Sequence, residues 1–192
     1  MIHYLITALR LTAITVLLVG VIYPLVITGL AQVLFPVHAN GSLVREGTLV
    51  RGSALIGQSF TRAEYFHPRP SAAGNGYDPL SSGGSNLGPT SKALSDRVSK
   101  DVTQIQHETP ALTTVPVDMV TTSGSGLDPD ITPANALAQV PRVAHARGIP
   151  AATLQQLVAQ SIIPRQFGFL GEARVNVLQL NRLLDANKLA SH

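Results

Sequence analysis

The chain has 192 residues, 45% of them apolar, with 14 Lys and Arg against 11 Asp and Glu for a formal charge of +3. This supplies a core for one ordinary domain, and the mild, scattered charge calls for no nucleic-acid partner. Cysteine and tryptophan are absent, which excludes disulfides, thiolate metal sites and a cysteine nucleophile; aromatics at 5% leave little for stacking on bases or sugars.

Leu11 to Leu34, "LTAITVLLVGVIYPLVITGLAQVL", carries no charge. As a helix it reaches ~36 Å, enough to cross a ~30 Å hydrocarbon core with tilt. Residues 1–36 therefore read as a membrane anchor. Pro24 removes a backbone donor mid-span and predicts a bend, while Gly20, Thr28 and Gly29 admit either a neighbouring helix or lipid. Val37-His38-Ala39 would suit a signal peptidase, but the apolar stretch exceeds a signal core of ~7 to 15 residues, so the anchor is expected to be retained. The amino terminus, His3 and Arg10 precede the span, and no cation stands between Phe35 and Leu43. Positive-inside then places the N-terminus in the cytoplasm and residues 37–192 outside it, as one extracytoplasmic domain.

Beyond the anchor, "GTLVRGSALIGQSF" reads as short strands and turns, and Thr61 to Tyr65 as one helical turn stopped by "FHPRP". Thr90 is the expected N-cap of an amphipathic helix, with Leu94, Val98, Val102 and Ile105 facing a core. Pro110 closes it. Val115, Val117 and Met119 alternate as in a half-buried strand. Thr132 as N-cap with Pro133 opens a helix to Arg147, ended by Gly148 and Pro150. A second helix is expected from Pro150 to Ile162 and a last one from Val175 to Lys188, with Val177, Leu180, Leu183 and Leu184 inward. The order predicts an α+β fold: one N-terminal transmembrane helix followed by one mixed α/β extramembrane domain.

The stretch from His67 to Thr90, "HPRPSAAGNGYDPLSSGGSNLGPT", lacks hydrophobic periodicity. Gly83 to Gly88 reproduces the spacing of a phosphate loop with Thr90 in the hydroxyl position, but Pro89 replaces the lysine and removes a backbone donor. Gly74-Asn75-Gly76 lacks the third glycine of a dinucleotide loop. A nucleophile elbow around Ser85 lacks its final glycine, leaving a hydrolase built from Ser85, His67 and Asp78 as a rival without a motif. His67 reads as a surface or turn residue, and the dispersed histidines offer no metal-ligand spacing. Asp128 and Asp130 lack calcium-loop spacing and read as helix caps. No catalytic or metal site is expected. Glycine and proline together predict an ordered, packed loop, in which Arg69, Tyr77, Asp78 and Asn86 either anchor the loop or dock a partner.

Three segments, "FHPRPSAAGNGYDPLSSGGSNLGPTSKAL", "SGSGLDPDITPANALAQVPRVAHARG" and "VNVLQLNRLLD", resemble in order the KdpC subunit family of the bacterial high-affinity, ATP-driven potassium uptake pump. The likeness covers nearly the whole chain, with Asp130 where the family often has histidine. It implies a non-catalytic accessory subunit in the cell inner membrane that assembles with a P-type ATPase catalytic subunit, a potassium-binding channel-like subunit and a small single-span subunit. It also implies an alternative role: a catalytic chaperone raising the ATP affinity of the hydrolysing subunit, with ATP near Ser82, Gly83, Gly84 and Ser85. An extracytoplasmic domain could not share a site with cytoplasmic ATP, so the topology favours assembly.

Overall fold

A computed structural model describes residues 1–110 and 112–186. The chain divides into two compact units, Met1–Ser53 and Ala54 onward. The first is dominated by an apolar helix from Ile2 to Leu34 of mean hydropathy 2.3, none of it buried. It comprises α1 (Ile2–Thr15), a π-helical segment Val16–Ile22 and α2 (Tyr23–Leu34). The helix starts well before Leu11, and its ~50 Å exceeds the hydrocarbon thickness. The proline ring at position 24 crowds the carbonyl of Gly20, and the widened π turn lies directly upstream of it, the usual adjustment at such a point. Next come α3 (Pro36–Ala39) and a hairpin of β1 (Leu43–Glu46) and β2 (Leu49–Ser53), closed at Gly47-Thr48.

The second unit is α+β. Its elements are α4 (Lys92–Glu108), β3 (Asp130–Ile131), α5 (Pro133–Arg147), α6 (Ala151–Gln160), β4 (Ile162–Ile163), β5 (Arg174–Asn176) and α7 (Val177–Ala186). The three strands form an antiparallel sheet in the order β3-β5-β4. Val140, Val143, Leu154, Val158, Val175, Leu180 and Leu184 fill the core between sheet and helices, each at most 1% exposed. At ~1.5 to 3 kcal/mol per fully buried aliphatic side chain, this cluster supplies the main drive for folding.

α5 follows its sequence signals. The Thr132 hydroxyl accepts from Asn135 N–H at 3.1 Å, Pro133 occupies the first turn, and Gly148 ends the helix at φ 66°. Several expectations are corrected. The strand at Val115, Val117 and Met119 is a 3-10 turn over Val117–Met119: Pro116 cannot donate to a ladder, and Val117 is 73% exposed. Ser91 rather than Thr90 holds the N-cap position of α4, without a side-chain cap. Leu94, Val98, Val102 and Ile105 do form its inner face, but they are only half-buried and α4 contributes nothing to the core cluster. The second and last helices are shorter than expected because Ile162–Ile163 and Arg174–Asn176 are drawn into the sheet. Asn176 Oδ1 then accepts from Gln179 N–H at 3.0 Å, capping α7. Leu183 faces solvent while Leu178 and Asn181 are buried; the expected end at Lys188 lies outside the described residues.

Candidate functional site

The glycine-rich stretch is an ordered loop knitted to residues 121–128. Arg69 Nη1 pairs with Asp128 Oδ2 at 3.0 Å, and its Nε donates to the Thr121 carbonyl at 3.3 Å. Ser71 Oγ donates to the Gly126 carbonyl at 2.6 Å and accepts from Tyr77 N–H at 2.8 Å. The Tyr77 hydroxyl donates to the Arg69 carbonyl. Burial pushes the Tyr77 phenol far above its usual range; Asp128 adds to this and Arg69 opposes it. Gly57 and Gly126 permit the close approach. A Cβ on Gly57 would lie 2.6 Å from the Asp128 carbonyl oxygen, and one on Gly126 at φ +67° would lie 2.6 Å from that of Gly83.

The structure brings Arg69 and Tyr77 together in this knot. Asp78 sits apart from them in role, its Oδ1 accepting from Leu80 N–H at 2.9 Å to start a 3-10 turn. Asn86 is exposed in the left-handed region at φ 52°. Ser82 to Ser85 lie along the Ser123–Gly126 segment. Gly83 N–H and Ser82 Oγ both donate to the Ser125 carbonyl, at 2.8 and 3.0 Å, and Thr122 Oγ1 donates to Ser85 Oγ at 3.4 Å. Gly84 abuts the Gly124 carbonyl, with an added Cβ 3.2 Å away. The amide and hydroxyl that a phosphate would need at positions 82 and 83 are thus already committed to backbone.

Asp128 and Asp130 do not cap α5. Besides binding Arg69, Asp128 accepts from Asp130 N–H at 3.0 Å, while Asp130 pairs with Arg174 at 2.9 Å and accepts from Asn176 at 3.2 Å. Burial raises the Asp130 carboxyl, against the pull of Asn176 and Arg174. The acid at the head of α5 is Asp118, a buried residue sequence reasoning missed. Its carboxylate accepts from Thr132 N–H at 2.8 Å, Thr132 Oγ1 at 3.0 Å and Asn135 Nδ2 at 3.0 Å.

His67 is half-buried rather than a surface residue. Its Nε2 lies 3.0 Å from the Arg62 carbonyl and 3.4 Å from Arg142 Nη1, an acceptor and a donor that compete for the same ring nitrogen. Burial lowers its affinity for a second proton, and Arg142, 3.4 Å away through Nη1, lowers it further. The backbone here has no strand partner. Two carboxamides replace one: Gln139 accepts from His67 N–H at 2.7 Å and donates to its carbonyl at 2.9 Å, and Asn181 does the same for Phe66, both at 2.9 Å. These brackets hold Phe66 in the core, where it is 0% exposed. A cavity of about 480 Å³ opens beside them, lined by His67, Tyr77, Gln139 and Arg142 and roofed by Ile105 and Glu108 of α4. Ser85, His67 and Asp78 each have a different partner, so the hydrolase arrangement is not assembled. Among the described residues no group of three or more His, Cys, Asp or Glu could hold a metal ion.

The family whose sequence model is described as "KdpC: K+-transporting ATPase, c chain" matches residues 5–186. Relatives named "Potassium-transporting ATPase KdpC subunit" are similar over nearly their full lengths. That of Koribacter versatilis is 55% identical over 184 residues, covering 96% of this chain and 95% of its own. That of Gemmatimonas aurantiaca is 56% identical over 187 residues, covering 97% and 94%. That of Myxococcus xanthus is 55% identical over 181 residues, covering 93% and 86%.

Proposed function

Because this chain belongs to the KdpC family, the c chain of the K+-transporting ATPase, we propose that it is a non-catalytic accessory subunit that assembles and stabilises the pump. Residues 1–36 anchor it in the bacterial inner membrane with the N-terminus in the cytoplasm. The remainder is a periplasmic docking domain. Its partners in this reading are the ATP-hydrolysing subunit, the potassium-binding channel-like subunit, a small single-span subunit and membrane lipid. It needs no cofactor of its own.

The observation that carries this reading is the stitching of Ser82 to Ser85 onto the Ser123–Gly126 backbone. A segment whose donors fold the domain is a scaffold for a surface rather than a cradle for phosphate. The second reading, an ATP-dependent chaperone of the catalytic subunit, draws on the exposed position of Ser82 and the open space at Gly83. Titration calorimetry of Mg-ATP into the detergent-solubilised full chain separates the two. The accessory reading expects no saturable heat. Saturable binding abolished by Gly84→Asp, in a variant that melts like the unaltered chain, would establish the second.

A further inference from the structure

β4 and β5 are the arms of a hairpin whose tip carries a run of exposed apolar side chains. Phe167 is 85% exposed, Phe169 71% and Leu170 47%. Two of the chain's five phenylalanines are thus held out in water, where isolated apolar side chains are common but a cluster is not. This is no slack loop. Gln166 and Leu170 exchange both backbone hydrogen bonds at 2.9 Å, Gly168 N–H donates to the Arg165 carbonyl at 3.1 Å, and Phe169 N–H donates to that of Gln166 at 3.2 Å. Phe167 occupies the left-handed region at φ 53°, which an aromatic residue adopts only under local constraint.

We propose that this tip is an anchor that inserts into an uncharged apolar cleft on another subunit of the pump. The proposal rests on the accessory-subunit reading and names one surface through which docking occurs. Charge decides the kind of occupant. Arg165 is paired with Glu172 at 2.8 Å and Arg174 with Asp130 at 2.9 Å, so every cation of the hairpin has its carboxylate. Anionic headgroups draw clusters of unpaired Lys and Arg, and this neck has none. A neutral aromatic knob ringed by a paired Arg and Glu has the anatomy of a protein-interface anchor, in which buried aromatics carry most of the affinity inside a polar rim.

The test uses the full complex, co-expressed with a tag on this chain. With photoreactive benzoylphenylalanine at position 169, illumination of membranes is expected to give one adduct with another pump polypeptide, identified by mass spectrometry. Phe167→Ser with Phe169→Ser should lower retention of the other subunits by roughly tenfold or more, with circular dichroism and melting unchanged. If that double variant misfolds, the crosslink alone decides, since it preserves an aromatic ring at the tip. Adducts with lipid only, or none while the complex stays intact, would overturn the proposal and leave the accessory reading standing. Failure of the unaltered tagged chain to retain any other subunit would overturn both.

Discussion

Gly126 and Gly124 stand two residues apart and differ in every way that matters to an added methyl group. At Gly126 the backbone is left-handed and Cβ would strike the Gly83 carbonyl oxygen; at Gly124 nothing lies within 4 Å. Gly126→Ala is expected to destabilise the protein by about 2 to 4 kcal/mol through strain and clash, and Gly124→Ala by less than ~1. Thermal melting of the full chain reads the difference, at roughly 2 to 4 °C per kcal/mol for a protein of this size. The same scale governs pH. His67 binds its proton less readily when folded, so the unfolded chain, with imidazole near pH ~6.5, takes it up first as pH falls. The stability gained from neutral His67 is complete above that value and is lost as pH falls through the folded pKa. Melting temperature is therefore expected to drop between pH 7.5 and 5, and His67→Gln should flatten that drop; an unchanged slope would count against the assignment. Little of this was legible in the sequence. Arg69 and Tyr77 stand out beside glycines and prolines, whereas Gln139, Asn181 and Asp118 matter only because distant backbone groups arrive unpaired beside them, and no local pattern announces that.

At the scale of elements, the sequence was most legible where local rules act alone. Thr132, Pro133 and Gly148 set both ends of α5, and the 3.6-residue recurrence of Leu94, Val98, Val102 and Ile105 marks the inner face of α4. Pro24 signalled its distortion, though not that the adjustment would be a π turn. Reading failed where tertiary pairing overrides local preference. Alternation at Val115, Val117 and Met119 could not outweigh Pro116 and the demand for Asp118 at the head of α5. Val175 and Asn176 carry a helical pattern continuous with α7, yet with Arg174 they pair on both sides with Asp130–Ile131 and Ile162–Ile163. Once those strands form, Asn176 becomes the cap, and Leu178 and Asn181 join Val177, Leu180 and Leu184 on the buried face while Leu183 turns to solvent.

For the whole molecule, α+β architecture and a single membrane helix followed from composition and one long apolar run, because the hydrophobic effect acts on such totals. Assembly is a different matter, since it depends on which side of the membrane receives the folded domain. The chain contains no cysteine, so an introduced thiol is a unique reporter. Lys100→Cys, on the exposed side of α4, should react with a membrane-impermeant maleimide in intact spheroplasts as fully as after lysis. Protection of that thiol until the membrane is broken would put the domain in the cytoplasm, contradicting the periplasmic docking role and returning the ATP-dependent one to first place.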